Sequence, residues 1–84
     1  MAKRIDWTDS AKADVRAIDQ KTALHILHGL ARFAVQGVGD VKQLQGIEPT
    51  EFRLRVGEYR IRFSDSADSI QILAVKHRRE AYRE

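Results

Sequence analysis

Apolar residues recur along this chain with two periods, and each period predicts a different element. From Lys3 to Trp7, Ile5 and Trp7 alternate with Arg4 and Asp6, the period-2 pattern of a half-buried strand. Thr8 then offers a side-chain oxygen to cap a helix, and Asp9 sits in its first turn, where negative charge suits the helix dipole. Ala11, Val15 and Ile18 follow at helical spacing. Asp19 is the expected cap of a second helix, in which Ala23, Ile26, Leu27, Leu30, Phe33 and Ala34 form one apolar stripe. Gly37 and Gly39 are placed to end it. The pattern predicts a helical hairpin with one apolar face.

Beyond a connector from Val41 to Thr50, which holds the single proline Pro49, period 2 returns. It predicts strands over Glu51–Val56 and Tyr59–Ser64, joined by the two-residue turn Gly57-Glu58, and a further strand over Ser69–Val75 after the loop 65–68. The order β-α-α-β-β-β predicts one α+β domain over residues 1–84: an antiparallel-rich four-stranded sheet with the N-terminal helical hairpin on one face. Eighty-four residues leave no room for a second core and bury only roughly 60% of the unfolded surface, so stability is expected to be marginal.

The hairpin alternation assigns the two faces. Phe52, Leu54, Val56, Tyr59, Ile61 and Phe63 share the face expected under the helices. Arg53, Arg55, Arg60 and Arg62 then point to the open face. With a two-residue turn, Arg55 lies opposite Arg60 and Arg53 opposite Arg62, and like charges directly opposite are destabilising. An external polyanion is the simplest reason to keep them. If Ser64 pairs with Ser69, then Gln71, Leu73, Val75 and His77 also reach the open face, giving the arginines an apolar floor with an imidazole at one end.

Charge sharpens this picture. The formal net charge is only +3, but arginine concentrates in the hairpin and in the tail Lys76-His77-Arg78-Arg79-Glu80-Ala81-Tyr82-Arg83. Local arginine clusters mark phosphate or nucleic-acid binding, because the guanidinium is a permanently charged planar fork matched to phosphate oxygens. Cleaving RNA further requires a base for the 2′-hydroxyl and an acid for the leaving oxygen. His77 and Tyr82 are the candidates, His77 because imidazole titrates near neutrality. The alternatives are a polar strand-end residue for His77 and a packing or base-stacking ring for Tyr82. Glu48 and Glu51 are placed to orient an arginine. His25 and His28 have a spacing able to hold a metal but lack an evident third ligand, so no metal or cofactor is expected. There is no cysteine, no signal-like apolar N-terminus and no run near the ~20 residues of a membrane span, which leads us to expect a cytoplasmic protein without a membrane partner.

The run Phe52-Arg53-Leu54-Arg55-Val56-Gly57-Glu58-Tyr59-Arg60-Ile61, followed by Ile72 to Tyr82, resembles the RelE/ParE superfamily of bacterial type II toxins, and the order of elements extends the resemblance over nearly the whole chain. The RelE branch implies a metal-independent endoribonuclease that cuts mRNA in the ribosomal A site. It also implies a cognate antitoxin, and contact with operator DNA only through the toxin–antitoxin complex. The family's basic strand positions map onto Arg53 and Arg55, its arginine after the hairpin tyrosine onto Arg60, its tail arginine onto Arg78 with Arg79 nearly as good, and its terminal tyrosine onto Tyr82. The expected catalytic set is therefore Arg60, His77, Arg78 and Tyr82, with Arg53, Arg55, Arg62 and Arg79 on the phosphates. Arginines stand where the best-known RelE pattern has lysines, and arginine cannot serve as the base. The ParE branch implies instead a non-enzymatic inhibitor of DNA gyrase.

Overall fold

The computed structural model describes residues 3–44, 46 and 50–81. Strand β1 (Arg4–Trp7) leads into α1 (Asp9–Arg16) and α2 (Gln20–Gln36). Four strands follow: β2 (Asp40–Gln43), β3 (Phe52–Val56), β4 (Tyr59–Asp65) and β5 (Ser69–His77). A short helix, α3 (Arg78–Ala81), ends the described chain. The sheet order is β1-β5-β4-β3-β2, with β1 and β5 parallel and the other neighbours antiparallel.

The α+β class stands, but the sheet has five strands rather than four. The added strand is β2, in the segment taken as a connector. Its four residues carry one apolar side chain, Val41, and pair with β3 from the sheet edge, Val41 opposite Leu54. Such a short edge strand leaves too little alternation to read.

Local chemistry sets the helix boundaries. Thr8 Oγ1 accepts from the Ala11 N–H at 3.1 Å and donates to the Ile72 carbonyl at 2.9 Å, so one residue both caps α1 and ties it to β5. Asp19 accepts from the Thr22 N–H at 3.0 Å and caps α2. Gly37 closes α2 in the left-handed conformation, at φ 70°. Gly39 has a different task from the predicted one. A Cβ there would come within 2.8 Å of Leu54 Cδ1, so it permits close approach of the backbone to the core.

The core lies between the helices and one sheet face. Phe63, Ile26, Leu30, Leu54, Ile61, Ile70 and Ile72 are fully buried, each contributing about 2 kcal/mol of transfer free energy. Phe63 sits centrally, with ring centroids 5.4 Å from Phe33 and 5.6 Å from Phe52. Ile26, Leu30 and Ala34 of the predicted stripe are buried, whereas Leu27 turns partly outward. Trp7, on the apolar side of the half-buried strand, is partly buried and packs against the core.

Candidate functional site

The hairpin forms with the expected register. Gly57 takes a left-handed φ of 58°, and Val56 faces Tyr59, Arg55 faces Arg60, and Arg53 faces Arg62. The neighbouring strands lengthen these pairs into rows. Asp40, Arg55, Arg60 and Lys76 lie in register across four strands, and Lys42, Arg53, Arg62 and Ala74 form the next row. Adjacent strands are about 4.8 Å apart, so the cations of one row stand close together over the open face. Lys42 and Lys76 were not among the expected site residues: β2 is too short for its alternation to show, and a register shift in β5 inverts the face that simple alternation gives Lys76.

Carboxylates from other elements hold several of these cations. Glu51, only 13% exposed at its side chain, meets Arg62 Nε at 3.1 Å and Nη2 at 3.0 Å. Asp40 meets Arg55 at 3.3 Å. Asp14 of α1 meets Lys76 Nζ at 3.1 Å and also accepts from the Val75 N–H at 3.0 Å. Arg60 was expected to face solvent; it is half-buried, with Nε sealed from water, because it lies in the middle of its row. The expected role of Glu51 as an arginine-orienting group is met at Arg62; Glu48 lies outside the described residues.

The structure separates His77 from this face. Ser64 pairs with Gln71 rather than Ser69, and the ladder shifts between Arg62 and Phe63, which leaves Leu73 without a partner in β4. This bulge adds one residue to β5 and inverts the alternation beyond it. Gln71 stays on the open face opposite Ser64, but Val75 stands opposite Ile61 and is 3% exposed in the core, and His77 stands opposite Tyr59. The apolar floor expected from Leu73 and Val75 therefore loses Val75 to the core, and Ala74, 6% exposed opposite Arg62, stands on the open face instead. His77 packs edge-on against Tyr59, with centroids 5.3 Å apart, and its Nδ1 accepts from the Arg79 N–H at 3.2 Å. That bond fixes the start of α3. Arg78 donates its backbone N–H to the Glu58 carbonyl at 2.7 Å and its guanidinium to the Glu58 carboxylate at 3.4 Å, which brings the tail back to the hairpin turn. Arg79 is exposed on α3, and Tyr82 lies outside the described residues.

Chemically, the face can hold successive phosphates and oppose charge that develops on one of them. No described residue on it is a free imidazole or carboxylate suited to proton transfer. Among the described residues, no group of three His, Asp or Glu side chains is placed to hold a metal ion. No helix among them is long and apolar enough to cross a membrane.

Solved structures share this architecture. The chain superposes on archaeal RelE of the RelE–RelB complex from Pyrococcus horikoshii with a TM-score of 0.75 and 22% identity, covering 93% of this chain and 97% of that one. RelE of the RelB–RelE antitoxin–toxin complex from Methanococcus jannaschii gives 0.74 and 21%, covering 92% and 94%. The toxin–antitoxin complex RelBE2 from Mycobacterium tuberculosis gives 0.74 and 23%, covering 92% and 99%. At these identities the likeness is one of fold. No curated protein sequence matches the chain. The sequence model described as ParE toxin of type II toxin–antitoxin system, parDE, matches residues 5–82, and the chain accordingly belongs to this family, as a type II toxin of the RelE/ParE superfamily.

Proposed function

We propose that this toxin is a ribosome-dependent, metal-independent mRNA endoribonuclease that blocks translation in the cytoplasm until a cognate antitoxin covers it. The observation that carries the reading is the pair of in-register rows, Arg55–Arg60–Lys76 and Lys42–Arg53–Arg62, on a sheet face opposite the helices. Rows of guanidinium and ammonium groups suit a ribose-phosphate chain and the extra charge of a phosphoryl transition state. Arg60, central and half-buried, is the group we place on the scissile phosphate, with Arg53, Arg55 and Arg62 on its neighbours and Arg78 and Arg79 approaching from the tail. With His77 turned to the other face, Tyr82 is the remaining proton-transfer candidate, and His77 positions the tail. RelE structures with RelB bound support an antitoxin partner, and operator DNA would be met only through that complex.

A second reading, non-enzymatic inhibition of DNA gyrase, is favoured by two observations: the parDE family match and the absence of His77 from the cationic face. One experiment separates them. Induction followed by mapping of mRNA 5′ ends, with a gyrase supercoiling assay on the purified protein, is expected to give in-frame, ribosome-dependent cuts and unchanged gyrase. Inhibited gyrase with intact mRNA overturns the nuclease reading. Efficient cutting of naked RNA overturns its dependence on ribosomes. His77→Asn, which keeps an acceptor for the Arg79 N–H, is expected to retain growth arrest.

A further inference from the structure

The helices of this fold carry charge that the arginine face does not use. Helix α2 contains Lys21, His25, His28 and Arg32 and no acidic residue. His25, His28 and Arg32 follow at i, i+3 and i+7, so they share one flank of the helix. That flank forms one wall of an open cleft of ≈ 290 Å³, whose other wall is β3 with Arg55 and Val56 and whose end is Val38. The volume is near the lower end of small-ligand sites, about 300 Å³. Among the described residues no carboxylate lines the cleft, and His25, His28 and Arg32 make no ion pair or side-chain hydrogen bond. The open face differs, since Asp40, Glu51 and Asp14 each hold a cation there.

We propose that this cleft is a second nucleic-acid subsite, which takes one phosphodiester and its base from a single strand whose neighbouring phosphates lie on the arginine face. The inference rests on the nucleic-acid reading of that face and adds a site to it. Arg55 is the junction, because it stands in the row with Arg60 and Lys76 and also lines the cleft. A strand that leaves the face past Arg55 therefore meets Arg32 and the two imidazoles next. Charge complementarity selects an anion: Arg32 supplies a forked donor for phosphate, and imidazole supplies an N–H donor in either protonation state. The apolar floor of Val38 and Val56 suits a base, with guanidinium and imidazole planes available for stacking. Both components of a nucleotide thus find a partner within one cleft. A second toxin copy meeting this one cleft to cleft would set Arg32 and Arg55 against themselves, which is unfavourable.

The test is titration of the isotope-labelled full chain with a 2′-O-methyl RNA octamer, which cannot be cleaved through its 2′ position, followed by NMR at low salt. The Gly29 and Gly39 amides and the His25 and His28 ring signals are expected to shift together with the amides of Arg53 and Arg62. Arg32→Gln, on an exposed helix position, is expected to weaken binding roughly 3- to 10-fold and to lower the slope of log affinity against log salt by about 1. Shifts confined to Arg53, Arg60 and Arg62 overturn the subsite and leave the reading of the face intact. Shifts confined to the cleft support the subsite and overturn the reading of the face. No shift with the octamer overturns the subsite, while the ribosome-dependent reading of the face is decided by the mapping of mRNA 5′ ends, and cleft shifts with an acidic amphipathic peptide alone reassign the cleft to a protein ligand.

Discussion

The arginine pairs of the hairpin are not equivalent residue by residue. Arg62 is held by Glu51, whose carboxylate is largely covered, whereas Arg53 has no ion pair among the described residues. Removing a cation from each position should therefore change stability in opposite directions. Arg62→Gln strands a carboxylate that has little water, at a cost of about 1–2 kcal/mol. Arg53→Gln relieves a like-charge pair and weakens nothing of comparable strength, so it should gain a few tenths to about 1 kcal/mol. Urea unfolding of the two variants beside the wild type measures both. Equal destabilisation would mean that Arg53 is structural and would remove the argument that its repulsion is kept for a ligand. The distinction also shows where sequence reasoning stops. The alternation placed all four arginines on one face, since their spacing is local, but which carboxylate reaches which arginine depends on side-chain packing in three dimensions.

At the scale of elements, α2 is held close to the sheet at one point and capped at another, and each gives a prediction. A Cβ at Gly29 would meet Val56 Cγ2 at 2.8 Å. Gly29→Ala gains up to about 1 kcal/mol of helix propensity, while forcing a stiff β-branched side chain aside costs about 1–3 kcal/mol. The clash should win, with a net loss of about 1 kcal/mol, and Val56→Ala should relieve it in a double-mutant cycle. At the start of α2, hydrogen bonds from Thr22 hold the Asp19 carboxyl below its usual range. The folded state therefore binds that proton less readily than the unfolded one. The capping contribution is fully present above the unfolded value near 3.8 and is lost as pH falls through the lowered folded value. Asp19→Asn keeps a capping oxygen without titration, so its denaturation midpoint should fall less steeply than wild type between pH 5 and pH 2.5. Equal slopes would sink the assignment. Caps and the hairpin were legible because their signals lie within a few residues. The β5 face was not, because Ile72-Leu73-Ala74-Val75 is a continuous apolar run in which a bulge leaves no trace of the altered period.

The whole molecule depends on closure between its two ends, for which the local pattern carries no signal. Strand β1 pairs in parallel with Ser69–Ile72, and beyond Trp7 the chain leaves the sheet, so the remaining edge of β5 needs other partners. Thr8 supplies one at Ile72, and Asp14 of α1 supplies the next by accepting from the Val75 N–H. The same carboxylate, 16% exposed, holds Lys76 on the opposite, cationic face. Asp14 thus joins the packing of a helix to the layout of the site, across 61 residues of chain. Two substitutions separate its roles. Asp14→Ala leaves the part-buried Val75 N–H without an acceptor, at a cost of about 1–3 kcal/mol, a large share of the stability expected for so small a domain. Asp14→Asn retains an acceptor for Val75 but removes the Asp14 charge from Lys76. It should keep most of the stability, and it should raise the affinity for a phosphate chain, because one negative charge beside the ammonium is gone. Thermal unfolding and oligonucleotide binding on the same two proteins check this. If Asp14→Asn were as unstable as Asp14→Ala, the ion pair rather than the strand-edge hydrogen bond would be what fastens α1 to the sheet. If its affinity were unchanged, Lys76 would have to be removed from the rows of cations that meet the ligand.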